Sequence, residues 1–229
     1  MTRAVLLDAM GTLVRLEPPV PRLRAALGSR GIAVDDAGAA RAMRAEIAHY
    51  RAHHDTAGTR EGLDRLRRAC AGVVREELGR PGSEAEAVHD ALLEAIAFSP
   101  YPEVPEALRA LRELGYRLVV VSNWDVSLHD VLRSTGLAGQ VDAVVTSAEH
   151  GTAKPEPALF LHALTLAGAG PEDALHAGDD LEADAAGAQS AGIRAVLVAR
   201  DGPAPDGVDA VADLGSLVQR VRYRRSPPP

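Results

Sequence analysis

Cysteine, lysine and aromatic residues are scarce in this chain, and each scarcity excludes something. Cys70 is the only cysteine, so neither an internal disulfide nor a cysteine-based zinc cluster is possible, and a reducing, cytoplasmic setting is expected. Aromatic residues make up 3% of the sequence, too few for a stacking platform that holds single-stranded nucleic acid. Lys154 is the only lysine beside 24 arginines, and the net charge is -7, so no polybasic face is expected to displace counterions from a duplex. The one arginine cluster, Arg220, Arg222, Arg224 and Arg225, runs into Pro227, Pro228 and Pro229, and residues 223–229 read as a disordered tail rather than a nucleic-acid arm. No apolar run approaches the roughly eighteen residues that span a bilayer. Met1 leads straight into an apolar strand without the layout of a signal peptide. Neither nucleic acid nor membrane is expected as a partner.

Apolar residues make up 46% and charged residues 25% of the 229, a composition able to bury a core. Short aliphatic runs at Ala4 to Leu7, Arg117 to Val121, Ala143 to Thr146, Leu175 to Ala177 and Arg194 to Val198 read as strands. Helical patterns separate them, at 128–135, 156–167 and 182–191 and in the stretch that opens with Pro105 and stops at Gly115. That alternation predicts an α/β fold, a doubly wound, Rossmann-like parallel sheet with helices on both faces. The interval 17–98 differs, being rich in Ala, Arg, Glu and Leu at helical spacing, with breakers at Gly31, Gly58 and Pro81-Gly82. It is expected to be an inserted four-helix domain, with residues 1–16 and 99–222 forming the sheet domain.

Ligands of an open parallel sheet bind beyond the carboxyl ends of its strands. Asp8 follows the first strand, Ser122 and Asn123 follow the second, Lys154 lies in a loop after the third, and Asp179 and Asp180 follow Gly178. These groups are expected at one edge. A carboxylate such as Asp8 is ionised at neutral pH and can attack phosphorus. Its repulsion by a phosphate dianion has to be cancelled, and the acidic set Asp179, Asp180, Glu182 and Asp184 calls for a hard cation such as Mg2+. Lys154 stands out because arginine serves everywhere else, and a compact ammonium fits between carboxylates where a planar fork does not. Ser122 and Thr12 offer hydroxyl donors to a phosphoryl group.

Four segments in this order, Asp8-Ala9-Met10-Gly11-Thr12-Leu13, Val121-Ser122-Asn123, Lys154-Pro155-Glu156-Pro157 and Gly178-Asp179-Asp180-Leu181-Glu182-Ala183-Asp184, resemble the haloacid dehalogenase superfamily, whose members are mostly phosphatases. The insertion at 17–98 lies where that family carries its helical cap. The resemblance implies Asp8 as nucleophile, with Thr12, Ser122 and Lys154 as further catalytic groups. It implies Ser122, Asn123 and Lys154 as substrate contacts, and Asp8, Asp179 and the Met10 carbonyl as magnesium ligands with Asp184 as ligand or holder. The expected activity is magnesium-dependent hydrolysis of a small phosphorylated metabolite through an aspartyl-phosphate.

Met10 departs from the family pattern. The residue two after the nucleophile is usually an aspartate that protonates the leaving alcohol and later activates water, and methionine carries no exchangeable proton. Acid-base catalysis is worth about 10² to 10⁴ in rate, so an alkyl phosphate would be a poor substrate unless another acid, such as Asp125 or His53 or His54, stands in. Two alternatives follow: a 2-haloacid dehalogenase, loosely matched by Arg44 and Tyr50, and a phosphate-binding or regulatory protein of low turnover. Gly178-Asp179 with Asp184 has the phosphatase form and speaks against the dehalogenase. His49 and His53 share a helix face at metal-ligand spacing, but without a third ligand they are expected to be surface histidines together with His54. Trp124 and Asp125 are expected either to shape the pocket or to serve as a buried aromatic and a helix cap.

Overall fold

The computed structural model describes residues 3–80 and 84–225. The chain divides into two units, one formed by Met1–Arg15 with Pro100–Pro229 and the other by Leu16–Ser99.

In the first unit the aliphatic runs become strands β1 (Arg3–Leu7), β4 (Tyr116–Ser122), β5 (Ala143–Thr146), β6 (Ala174–Gly178) and β7 (Arg194–Val198). With a short β8 (Ala210–Val211) they form a parallel sheet in the order β5-β4-β1-β6-β7-β8. The chain builds outward from β1 on one side, then returns to β6 on the other. Leu7 pairs with Val120 and with Ala177, so the residue after it, Asp8, emerges between the ends of two neighbouring strands. This is the topological switch point at which such sheets bind ligands.

One sheet face packs on α8 (Pro157–Ala167), whose Leu159, Phe160, Ala163, Leu164 and Ala167 bury against Leu6, Val119 and Val121. Each large aliphatic or aromatic side chain so buried contributes about 1.5–3 kcal/mol. Helix α5 (Val104–Glu113) opens with Pro105 in its first turn and buries Leu108 and Leu111 one turn apart. Helix α6 (Leu128–Ser134) and the single turn α7 (Ser147–His150) complete the connections on the β4-β5 side.

Three features depart from the sequence expectation. The predicted helix at 182–191 is a π-helical turn at Leu181–Ala186 followed by a short α9 (Gly187–Ser190). The Asp180 side chain accepts from the amides of Glu182 and Ala183, while the amides of Asp184 and Ala185 both reach the Asp180 carbonyl, which widens the turn. Second, α10 (Leu214–Arg225) extends over part of the expected tail. Leu214, Leu217, Val218 and Val221 bury one stripe of it, and Arg220 is anchored by Asp209 and the Ala210 carbonyl. The arginine cluster is therefore helical, not frayed; Pro227, Pro228 and Pro229 lie outside the described residues. Third, a two-stranded ribbon, β2 (Val14–Leu16) with β3 (Phe98–Pro100), forms where the chain leaves and re-enters the sheet unit.

The second unit has helices α1 (Pro19–Gly28), α2 (Asp36–His53), α3 (Arg60–Glu77) and α4 (Ala85–Ala95). Asp35 and Thr59 cap α2 and α3 through the amides of Gly38 and Gly62. Gly31 and Gly58 fall between helices as expected; Pro81-Gly82 lies outside the described residues. Glu46 of α2 is buried, and the Cys70 thiol of α3 donates to it. No helix among the described residues is long and apolar enough to cross a membrane.

Candidate active site

Asp8, Ser122, Lys154, Asp179 and Asp184 converge at the carboxyl edge of the sheet. Strand β1 delivers Asp8, whose amide donates to the Ala177 carbonyl of β6 (2.9 Å). Lys154 reaches in from the loop after α7, and its side chain is only 3% exposed. Its Nζ donates to Asp8 Oδ1 (2.6 Å) and to Asp184 Oδ1 (2.5 Å). Ser122 Oγ donates to the same Asp8 oxygen at 2.9 Å. Both bonds thus fall on Oδ1 of Asp8.

The π-helical turn explains how Asp184 arrives. It folds the side chain back beneath β6, so closely that a β-carbon on Gly178 would overlap the Asp184 carboxylate. The Asp180 amide donates to Asp184 Oδ2 (3.1 Å). Gly11, at φ +77°, plays the matching part on the other side, since a β-carbon there would overlap the Asp179 carboxylate.

Electrostatics divide the three carboxylates. Burial works against Asp184, but the ammonium of Lys154 and the ring of His176 outweigh it and hold its carboxyl well below the usual range. Burial likewise opposes the charged form of Lys154, yet Asp8 and Asp184 raise its pKa further still, so it remains an ammonium. Asp179 is pushed up to about 7 by burial and by the charges of Asp8 and Asp184. Asp8 is raised by burial too, against the pull of Lys154. One ammonium does not balance three carboxylates.

That surplus bears on the metal. Ligand oxygens of Asp8, Asp179 and Asp184 lie within 4.8 Å of one another. An all-carboxylate donor set with excess negative charge fits a hard divalent cation and no soft one. Met10 bridges to Val14 in the turn after β1, its side chain partly exposed.

Asn123 and Thr12 make contacts that the sequence did not suggest. The Asn123 amide donates to the Lys154 carbonyl (2.9 Å), and its oxygen accepts from the Lys154 amide (2.7 Å). Both ends are engaged, so Asn123 braces the lysine loop rather than offering its side chain to a ligand. Thr12 is wholly buried; its Oγ1 has no hydrogen-bond partner among the described residues, and its carbonyl accepts from Arg200. Asp125 is buried and accepts from the Ser127 amide in the turn before α6, while Trp124 is buried with its indole N–H on Ser127 Oγ. His53 bonds the His49 carbonyl and stacks on the His49 ring, and His54 bonds the Arg51 carbonyl. None of the three belongs to a candidate metal group among the described residues.

Two residues that contact the site escaped the sequence reading. His176, fully buried in β6, places Nε2 2.9 Å from Asp184 Oδ1 and edges onto Phe160. Since that carboxylate can only accept, the shared proton belongs to Nε2. A histidine in an otherwise aliphatic strand, two residues before Gly178, was the available signal. The other is Arg200, which contacts the turn after Asp8.

The family profile described as haloacid dehalogenase-like hydrolase matches residues 2–192. The chain belongs to the haloacid dehalogenase-like hydrolases. Among relatives, haloacid dehalogenase-like hydrolase domain-containing protein 3 of Mus musculus is 33% identical over 206 residues, 86% of this chain and 81% of that protein. The Bos taurus form is 43% identical over 98 residues, 43% of this chain but only 38% of that protein's length. A phosphoserine phosphatase of Thermus thermophilus is 36% identical over 148 residues, 62% of this chain and 59% of that enzyme. Of solved structures, a 2-haloacid dehalogenase from Pseudomonas syringae superposes with a TM-score of 0.68 at 24% identity, covering 99% of this chain and 100% of that one. At that identity the likeness is one of fold. The family resemblance read from the sequence is thus borne out, and its relatives include phosphatases.

Proposed function

We propose that this hydrolase is a magnesium-dependent phosphatase that cleaves a small phosphorylated metabolite through an aspartyl-phosphate on Asp8. The observation that carries the proposal is the carboxylate surplus where Asp8, Asp179 and Asp184 meet a single ammonium, Lys154. Asp8, Asp179 and the Met10 carbonyl would hold the cation, with Asp184 as a near ligand or as the anchor of Lys154. When bound, Mg2+ supplies the positive charge that lets a carboxylate approach a phosphate dianion.

The rest is work for the chain's own residues. Ser122 and Lys154 hold Oδ1 of Asp8, so Oδ2 attacks phosphorus. The bond from phosphorus to the leaving oxygen breaks, and the leaving group departs with the electron pair. Water then attacks phosphorus, frees inorganic phosphate and restores Asp8. Met10 gives no proton to the leaving oxygen, so this reading favours aryl or acyl phosphates over alkyl ones. The phosphatase among the relatives supports a phosphate ester as substrate, and the buried thiol of Cys70 supports a reducing, cytoplasmic setting.

Met10 also favours a second reading, dehalogenation, in which halide leaves without a proton. Purified protein offered aryl, acyl and alkyl phosphates and chloroacetate, with and without Mg2+, separates the two. Magnesium-dependent phosphate release, blocked by beryllium fluoride and lost in Asp8→Asn, is expected. Halide release without metal would replace it with the second reading, and neither product would leave a binding protein.

A further inference from the structure

Arg200 lies two residues beyond β7, far in sequence from Asp8. Its Nε donates to the Gly11 carbonyl (2.9 Å) and its Nη2 to the Thr12 carbonyl (2.7 Å). The same Nη2 reaches Glu103 Oε1 (2.7 Å), and the guanidinium lies 3.5 Å from the centroid of the Tyr101 ring. A planar fork, a stacking face and a carboxylate together fix this side chain, which is 13% exposed.

What it holds is the turn that carries the reacting groups. Met10 precedes the two gripped carbonyls, and the Asp179 carboxylate rests against the α-carbon of Gly11. Gly11, Tyr101, Asp179 and Arg200 line one cleft of about 570 Å³. Because a peptide is planar, fixing the Gly11 and Thr12 carbonyls also fixes the amides of Thr12 and Leu13, and the Met10 carbonyl, one unit earlier, is joined to this turn through the Gly11 amide. Inside the turn the Gly11 amide bonds the Val14 carbonyl, and the amides of Leu13 and Val14 bond the Ala9 carbonyl.

We propose that Arg200 is a positioning residue: its guanidinium clamps the Gly11–Thr12 turn and so sets the Met10 carbonyl and the Asp179 carboxylate relative to Asp8. The inference rests on Asp8 and Asp179 being the reacting site. Partners in such an outer layer are worth roughly 10- to 100-fold in metal affinity or activity.

The test uses Arg200→Ala and Arg200→Lys in the full chain, with two kinds of readout. Hydrogen exchange of the metal-free protein is expected to show lost protection at the amides of Gly11, Leu13 and Val14, with β4 unchanged. Calorimetric Mg2+ affinity and kcat are expected to fall about 10- to 100-fold with KM kept, and ethylguanidinium is expected to restore Arg200→Ala. Arg200→Lys should fall as well, because an ammonium has neither the planar fork that spans the two carbonyls nor a face to lie flat on Tyr101. Unchanged protection at the turn overturns the proposal, as does a loss spread evenly over the unit with no rescue. A wild-type protein that binds no Mg2+ and releases no phosphate would refute the Asp8 reading instead, and the exchange pattern would still decide whether Arg200 holds the turn.

Discussion

Lys154 places its Nζ 2.6 Å from Oδ1 of Asp8, a contact that spans 146 residues of sequence and is closed off from solvent. Its second bond, to Asp184, makes the lysine the one cation shared by two buried carboxylates.

Lys154→Met removes the shared cation and leaves Asp8 and Asp184 buried without it. Breaking a buried pair this way costs about 3–5 kcal/mol. The melting temperature is expected to fall and turnover to vanish, and added Mg2+ should recover part of the stability but none of the turnover. A melting temperature matching wild type in metal-free buffer would contradict this.

The raised pKa of Asp179, about 7, predicts that stability, and with it the proposed Mg2+ binding, depends on pH. An acid whose folded pKa lies above its unfolded value favours the folded state at low pH, so this contribution is full below about 3.8 and is lost as pH rises through about 7. Metal-free protein should therefore lose stability from this group over that window, and Mg2+ should reverse the loss above it. Calorimetry near pH 6 in buffers of different ionisation enthalpy should detect proton release on Mg2+ binding. Binding without proton exchange at that pH would count against the assignment.

Gly178→Ala puts a methyl group where the Asp184 carboxylate now sits. The carboxylate has to move, and Lys154 and His176 lose their shared acceptor. Mg2+ affinity is expected to drop at least tenfold, within the range for disturbed outer partners of a metal. Wild-type affinity, read by titration calorimetry, would show that Asp184 does not need this position.

Met10→Asp restores a proton donor two residues after the nucleophile. The first step, read in a single turnover as release of the leaving group, should speed up by about 10² to 10⁴ for an alkyl phosphate and change little for an aryl phosphate, whose leaving group needs no proton. An equal change for both substrates would separate Met10 from the leaving-group step.

In the helical unit, burial raises the pKa of Glu46, against the hydrogen bond from Cys70. Its carboxyl favours the folded state while protonated and loses that advantage as pH rises through the raised pKa. Glu46→Gln should therefore stabilise the protein at neutral pH and narrow the difference in acid. A gain of about 1 kcal/mol would raise the melting temperature by about 2–4 °C. Equal melting temperatures across pH would reject it.

The sequence by itself determined the α/β alternation, the strand ends and the residues that follow them, because both signals are local. Aliphatic runs of strand length and breakers such as Gly115 are set within a few residues of each other. The stripe of Leu214, Leu217, Val218 and Val221 was equally local, though the proline tail after it masked the helix. Asp8, Ser122, Lys154, Asp179 and Asp184 were legible as strand-end chemistry. Only the tertiary structure decided how they are used: that Asn123 spends its amide on the lysine loop, that His176 supports Asp184 from within the sheet, and that Arg200 grips Gly11 across 189 residues. Periodicity carries no information about partners so far apart, since their meeting is set by sheet order and by the π-helical turn rather than by their neighbours in the chain.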